Sequence, residues 1–308
     1  MSNNPSGAAP LRHVPVRGAL YMLAAVSLLA ILDAGVKELT GRYPVPQIGF
    51  MRYLFGLTLA VILAIRSGGL GTLRTRRPRG HLLRAAFNLT TMLTFYYSLA
   101  LLPLGTAVSI AFAAPLFMTA LSVPMLREHV GPRRWAAVLV GFIGILVILR
   151  PSADGVSLGA ILALVSAFCY AVTLITSRQL STTEASHTIL FYYSIGVLIA
   201  TGATLPWQWV TPEWGDLWII VLVGVSGSFG QWSLNQAFRF GEVSMLAPIE
   251  YISLAWAVLF GFAFWGEVPT WTVIIGAAVV VASSLYITHR EAQRAQRATV
   301  AVPGEPAP

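Results

Sequence analysis

Three ionisable side chains, Asp33, Arg52 and Glu250, stand inside apolar stretches long enough to cross a bilayer. A charge in such a place needs a partner or a wet cavity. Asp33 falls late in the first stretch and Arg52 early in the second, near the same end and at similar depth, so their spacing predicts an ion pair. Lys37, four residues beyond Asp33, competes for the same carboxylate. Such a group either fixes two segments permanently or acts as a gate or coupling switch. Glu250 follows a proline in Ala247-Pro248-Ile249-Glu250-Tyr251 and has no basic neighbour in sequence. Proline in a spanning helix frees a backbone carbonyl, which is tolerated where the chain lines a cavity. Glu250 is therefore a candidate proton site, and a buried hydrogen-bonded acid is the structural alternative.

Uncharged polar residues form stripes at helical spacing. One runs through Asn88, Thr91, Phe95 and Ser98, a second through Ser166, Tyr170, Thr173 and Ser177, and a third through Gly224, Ser228, Gln231 and Asn235, with Trp232 alongside. Serine and threonine also bond back to their own helix, so single positions carry little weight. As a set, the stripes predict a pathway for a small molecule. The candidate binding residues are Asn88, Thr91, Tyr96, Tyr170, Gln231, Trp232, Asn235, Glu250, Tyr251 and Trp256, and the coupling candidates are Asp33, Arg52 and Glu250. Flat rings beside polar anchors suit neutral or aromatic amino acids. Phosphorylated compounds call for a cluster of buried Lys or Arg, and the sequence offers only Arg52 inside a predicted span.

Other motifs carry no chemistry. Gly224-Val225-Ser226-Gly227 matches the Gly-x-Ser-Gly of intramembrane serine hydrolases, but that chemistry needs a histidine beside the hydroxyl. His289, the one histidine downstream, falls at a helix end, at another depth. His13, His81, His129 and His187 show no metal-ligand spacing, and no Walker motif accompanies Gly68-Gly69-Leu70-Gly71. Asn88-Leu89-Thr90 reads as a glycosylation site but falls inside a helix. Cys169 is alone and reads as a packing residue. No enzyme activity, cofactor or metal is expected.

The elements that position these residues are membrane helices. The chain of 308 residues is 56% hydrophobic and 10% charged, against roughly 25% charged in soluble domains. Ten apolar segments near the ~20 residues of a span read as about 18–37, 47–65, 83–102, 105–126, 133–150, 157–177, 187–206, 216–238, 242–264 and 270–288. No cleaved signal peptide is expected. The net charge of +8 is distributed asymmetrically. Counting alternate connections, sixteen basic residues, Arg84 among them, fall on one side, and Lys37, Arg42 and Arg150 on the other. That bias puts both termini in the cytoplasm and excludes a nucleic-acid patch. Trp207, Trp209, Trp214, Trp218, Trp265 and Trp271 cluster at the opposite, outer interface. Residues 1–17 and 290–308 read as mobile cytoplasmic tails. Gly141, Gly144 and Gly276-Ala277-Ala278 suit close packing of the fifth and tenth helices.

The same unit is written twice. Ala100 leads through Gly105 and Pro115 to Leu126-Arg127-Glu128, then Trp135 and a Gly-rich helix. Ala237 leads through Gly241 and Pro248 to Trp265-Gly266-Glu267, then Trp271 and another small-residue helix. Units of five helices must be inverted relative to each other, a layout common in alternating-access carriers. The repeats cover 18–150 and 157–289, joined by Arg150-Pro151-Ser152-Ala153-Asp154-Gly155. The layout predicts an all-α membrane protein with a central cavity between the third, fourth, sixth, eighth and ninth helices, serving a small-molecule substrate in the lipid bilayer. A monomer and a homodimer are equally compatible with it.

On these features the chain resembles the drug/metabolite transporter superfamily in its EamA branch, over about 18–289. The resemblance rests on the two-repeat layout, Arg52, Ala113-Ala114-Pro115-Leu116-Phe117 and the two repeat-ending Glu motifs. It implies a secondary-active or facilitative inner-membrane carrier of small metabolites, similar to YddG-type aromatic amino-acid exporters. Carriers of riboflavin and S-adenosylmethionine belong to the same family, so import of a larger aromatic metabolite is the alternative. One departure stands out: Phe191-Tyr192-Tyr193-Ser194 occupies the place matching Arg52, so a symmetric ion pair is excluded.

Overall fold

The computed structural model describes residues 15–127, 130–150, 155–240 and 243–300. The expectations for the first fourteen residues, the last eight, Glu128, His129, Gly241 and the centre of the linker lie outside these. The described residues form thirteen α-helices: α1 (Pro15–Thr40), α2 (Val45–Arg66), α3 (Pro78–Leu101), α4 (Leu104–Ala111), α5 (Ala114–Leu126), α6 (Pro132–Leu149), α7 (Leu158–Ser181), α8 (Ser186–Gly202), α9 (Leu205–Gln208), α10 (Leu217–Phe240), α11 (Val243–Glu250), α12 (Ile252–Trp265) and α13 (Trp271–Val300). Proline in the first turn starts α2, α3, α5 and α6, where its missing N–H costs nothing. The Ser157 hydroxyl caps α7, and Gly266, at φ 65°, ends α12 in the left-handed region. Helix α13 runs on to Val300, past the expected end of the second repeat near residue 289.

Eight helical stretches are long and apolar enough to cross a membrane, with α4–α5 counted as one. Neither α3, which carries Arg79, Arg84 and a polar stripe, nor α8, with 17 residues, is in that set. Both α4–α5 and α11–α12 are broken helices. The first break precedes Pro115 and the second follows Pro248, at matching places in the two repeats. The rings at the breaks, Phe112 and Tyr251, meet with centroids 4.9 Å apart.

Packing partners obey an exchange of the two repeats. The long contact of α1 with α10 is mirrored by that of α7 with α3, and α5 against α7 is mirrored by α11 and α12 against α1. Two helices pack against their own counterparts, α2 on α8 and α6 on α13. This is what an approximate two-fold axis between the repeats requires. Each repeat therefore gains its core chiefly by interleaving with the other. One apolar cluster joins α1, α2, α3, α8 and α10, and a second joins α4, α5, α6, α7 and α13.

Helices α6 and α13 show how close this approach is. A Cβ on Gly144 would stand 2.9 Å from the Gly276 carbonyl oxygen, and one on Gly276 would stand 2.6 Å from that of Gly144. Small residues are required because backbone opposes backbone and neither can yield. Gly144→Leu is expected to lower stability by about 1–3 kcal/mol through overpacking. Gly71→Ala, where a Cβ meets nothing within 4 Å, is expected to be neutral. Thermal unfolding of detergent-purified protein compares the two.

Candidate functional site

A cavity of about 580 Å³ lies between α2, α8 and α10. Its position follows from the stripe on α10, where Ser228, Gln231, Asn235 and Arg239 recur at three- and four-residue intervals along one lining face. Ser67, Ser186, His187 and Arg239 line it where these helices reach the arginine-rich end of the molecule. Arg52, Tyr53, Tyr193 and Gly227 line its deep end. A Cβ on Gly227 would stand 2.8 Å from Arg52 Nε, so glycine lets the guanidinium lie against the α10 backbone.

Around that deep end two arginines and several aromatic rings form a cluster. Arg52 lies over the Tyr53 ring at 4.7 Å, and Arg84, from α3, over the Tyr193 ring at 4.3 Å. The two rings meet edge to face, with centroids 6.1 Å apart. Asn88 Nδ2 donates to the Tyr53 hydroxyl at 2.8 Å, and Arg84 Nε donates to Ser177 Oγ at 2.6 Å. Tyr96 is buried with its hydroxyl beside Arg52, and Arg84 Nη1 is buried without a hydrogen-bond partner. Among the described residues neither Arg52 nor Arg84 has a carboxylate within 4.0 Å. Cation–π contact compensates each only in part, by ~0.5–2 kcal/mol.

The opposite, tryptophan-rich end is tied shut between the repeats. Lys37 pairs with Glu267 at 3.0 Å and donates to the Leu99 and Leu102 carbonyls at 3.1 and 2.6 Å. Glu267 also accepts from Leu104 N–H at 2.7 Å. The cation thus sits on the C-terminal carbonyls of α3 and the anion on the first N–H of α4, each at the helix end its sign favours. Beside them, Asp216 pairs with Arg42 and accepts from the Tyr43 hydroxyl at 2.7 Å. Gln47, fully buried, exchanges two hydrogen bonds with the Val210 backbone at 2.6 and 2.9 Å.

The expected site residues divide accordingly. Gln231, Trp232 and Asn235 line the cavity with Arg52. Asn88 and Tyr96 stand behind its deep end. Tyr170 lies within electrostatic range of both Arg84 and Glu250. Glu250 ends α11 at the break and is exposed, while Tyr251 and Trp256 turn to Phe112 and Phe260. Of the helices expected to line the cavity (third, fourth, sixth, eighth and ninth), the eighth, α10, does so, and its companions are the second and seventh, α2 and α8, while α3 packs along α7. Thr91 Oγ1 donates to the Phe87 carbonyl at 2.8 Å and Ser98 Oγ to that of Phe95 at 2.7 Å.

Two pairing expectations also change. Asp33 and Arg52 feel each other's charge but form no ion pair within 4.0 Å, and Lys37 turns to Glu267 because the α3 carbonyls draw it there. Arg84, counted with the basic residues of the cytoplasmic side, is built into α3 and packed on Tyr193, so Arg52 is not the only arginine in the interior. The sequence reading missed Tyr53, Arg84 and Tyr193 as a unit. The signal was the position of Tyr193 opposite Arg52 in the repeat alignment, since α2 and α8 pack against each other. Glu267 stood out only as a repeat landmark, not as a partner of Lys37, and Asp216 and Gln47 gave no comparable signal.

Ser226 Oγ donates to the Val223 carbonyl, at 3.4 Å. Among the described residues no three His, Cys, Asp or Glu side chains gather as a metal site, and Cys169 is a free, buried thiol.

A helical, multi-pass architecture with an internal repeat and a polar interior cavity defines a membrane transporter. The model of the EamA-like transporter family matches residues 16–150 and 157–289, and the chain belongs to that family. It is a transporter of small molecules, not an enzyme. It is 29% identical to a riboflavin transporter of Vibrio cholerae over 93% of this chain and 98% of that one. It is 27% identical to an S-adenosylmethionine uptake transporter of Rickettsia prowazekii (90% and 94%) and 29% identical to the pseudopaline exporter CntI of Pseudomonas aeruginosa (88% and 96%). A solved crystal structure shares the fold at TM-score 0.64 and 17% identity, covering 91% of this chain and 99% of that one.

The polar ties at the tryptophan-rich end are expected to govern access to the cavity. A thiol placed by Gln231→Cys should react with a membrane-impermeant maleimide from the arginine-rich side only. Adding Asp216→Asn and Glu267→Gln removes charge-assisted contacts of ~1–3 kcal/mol each. Labelling from the opposite side should then rise about tenfold or more.

Proposed function

We propose that the protein is a ten-span inner-membrane carrier, with both termini cytoplasmic, that exports neutral or aromatic amino acids by alternating access. The observation that carries this reading is the asymmetry of the two ends. A cavity of about 580 Å³ reaches the arginine-rich end, and cross-repeat ion pairs tie the other. The positive-inside bias makes the arginine-rich end cytoplasmic, so this is an inward-facing arrangement. Breaking the ties while narrowing the gap between α2, α8 and α10 gives the outward-facing one. The approximate two-fold axis supports this, because exchanging the roles of the repeats converts one state into the other.

The cavity's chemistry supports a small amphipathic cargo. Tyr53, Tyr193 and Trp232 supply flat surfaces, and Ser228, Gln231 and Asn235 supply hydrogen bonds. Its volume falls in the range of pockets that hold small metabolites. Glu250, at the break between α11 and α12, is the candidate proton site. It has no basic partner within 4.0 Å among the described residues, so its charge has nothing fixed to lose when it binds a proton.

Proteoliposome flux tests the reading. A panel of neutral and aromatic amino acids, with riboflavin and S-adenosylmethionine beside them, is followed with and without a pH gradient. Saturable flux of the amino acids is expected, and Glu250→Gln should abolish the gradient-driven part while leaving downhill exchange. Flux of riboflavin or S-adenosylmethionine in place of the amino acids would replace the assignment of cargo.

A further inference from the structure

We infer that Arg52 receives a carboxylate of the transported molecule, and that the cavity reads this group rather than an amino group. The inference rests on the carrier reading above and names the chemistry of its site.

The charged side chains that line the cavity are Arg52 at the deep end and Arg239 at the arginine-rich end. His187 also lines it, and among the described residues no Asp or Glu does. Asp33 influences Arg52 from outside the lining and makes no ion pair with it. Glu250 is likewise absent from the lining. Among the described lining residues an ammonium group meets no carboxylate, whereas an oxyanion meets Arg239 at the mouth and Arg52 at the deep end. Like-signed charges along low-dielectric walls focus the potential and draw in the opposite sign.

The deep end is shaped for this role. Gly227 leaves Arg52 space against the α10 backbone, and Tyr53 holds the guanidinium from its face at 4.7 Å. The Tyr53 and Tyr96 hydroxyls engage part of the guanidinium, and arginine's five N–H donors leave others to match a carboxylate in a two-point contact. Tyr193, on the same wall, carries Arg84 over its ring. Arg84 Nη1 is buried without a partner, so this second cation adds to the positive potential. A ring attached to the carboxylate meets Trp232 and Leu190 and what the arginines leave uncovered of Tyr53 and Tyr193, with Gln231 and Asn235 beside it. The apolar surroundings make an unpaired arginine costly, and a bound carboxylate relieves that cost in the loaded state.

The test compares acids with their uncharged amides on full-length protein in detergent. Probes are 3-phenylpropionate against 3-phenylpropionamide and phenylalanine against phenylalaninamide, with phenyl phosphate as the other oxyanion and phosphatidylglycerol as a lipid source. Binding is read by calorimetry. Each acid is expected to bind wild type about 10- to 100-fold more tightly than its amide, the range of a charge-assisted contact. Arg52→Gln should erase that preference, Arg52→Lys should keep part of it, and Gly227→Ala should weaken acid binding by displacing the guanidinium.

Equal binding of acid and amide to wild type, which needs no variant, would overturn the inference. So would tighter binding of phenyl phosphate or phosphatidylglycerol than of the carboxylates, or a preference that survives Arg52→Gln in monodisperse protein. Acid-selective binding without flux would sink the carrier reading and leave the site. Flux indifferent to both the carboxylate and Arg52 would sink the site and leave the carrier.

Discussion

Lys37 and Glu267 come from opposite repeats, and each is drawn to its place by a helix end before it meets the other. The lysine satisfies carbonyls at the end of α3, and the glutamate satisfies the first N–H of α4, across the two-residue turn at Leu102-Pro103. Their 3.0 Å contact then joins the repeats at the tryptophan-rich end, beside the Asp216 and Gln47 contacts. Much of the remaining arrangement depends on this seal. With that end tied, α2, α8 and α10 separate only toward the other end, which is where the cavity lies. Ion pairs and hydrogen bonds suit such a seal, because they separate with modest net cost when water can replace them. The α6–α13 glycine contact is backbone against backbone and stays closed.

The approximate two-fold axis explains which residues become neighbours. Helices that pack on their own counterparts bring equivalent positions together. Gly144 meets Gly276 in α6 and α13, Arg52 and Tyr193 share the deep end of the cavity between α2 and α8, and Phe112 meets Tyr251 at the two helix breaks. The loss of symmetry at Arg52 therefore has a physical reason. Two arginines on the axis would repel, whereas arginine opposite tyrosine gives a cation beside an aromatic wall. The same axis accounts for the breaks, since a proline-disrupted helix in one repeat faces its partner in the other.

Part of this was legible without coordinates. The hydrophobic segments, the duplicated Gly, Pro and Glu landmarks and the placement of arginines were sufficient for a helical, two-repeat membrane protein, because bilayer crossing imposes length, composition and charge bias locally. The α10 stripe of Ser228, Gln231 and Asn235 was readable for the same reason: 3.6-residue periodicity is a property of one helix. The α3 stripe misled, since that helix packs along α7, where Ser166 donates to the Thr91 carbonyl, and sequence does not separate a packed polar stripe from one that lines a cavity.

What the sequence determined by itself was the class of fold, the repeat and the identity of the charges that must be accommodated inside it. Only the tertiary structure decided which partner each charge takes. Lys37 leaves Asp33 for Glu267, Asp33 and Arg52 stay beyond ion-pair range, and Arg84 joins the interior through Tyr193. The physical reason is that pairing inside a membrane protein is a competition among helix ends, rings and carboxylates brought together from distant parts of the chain. Its outcome depends on separations of a few ångströms, which are set by how the two repeats pack.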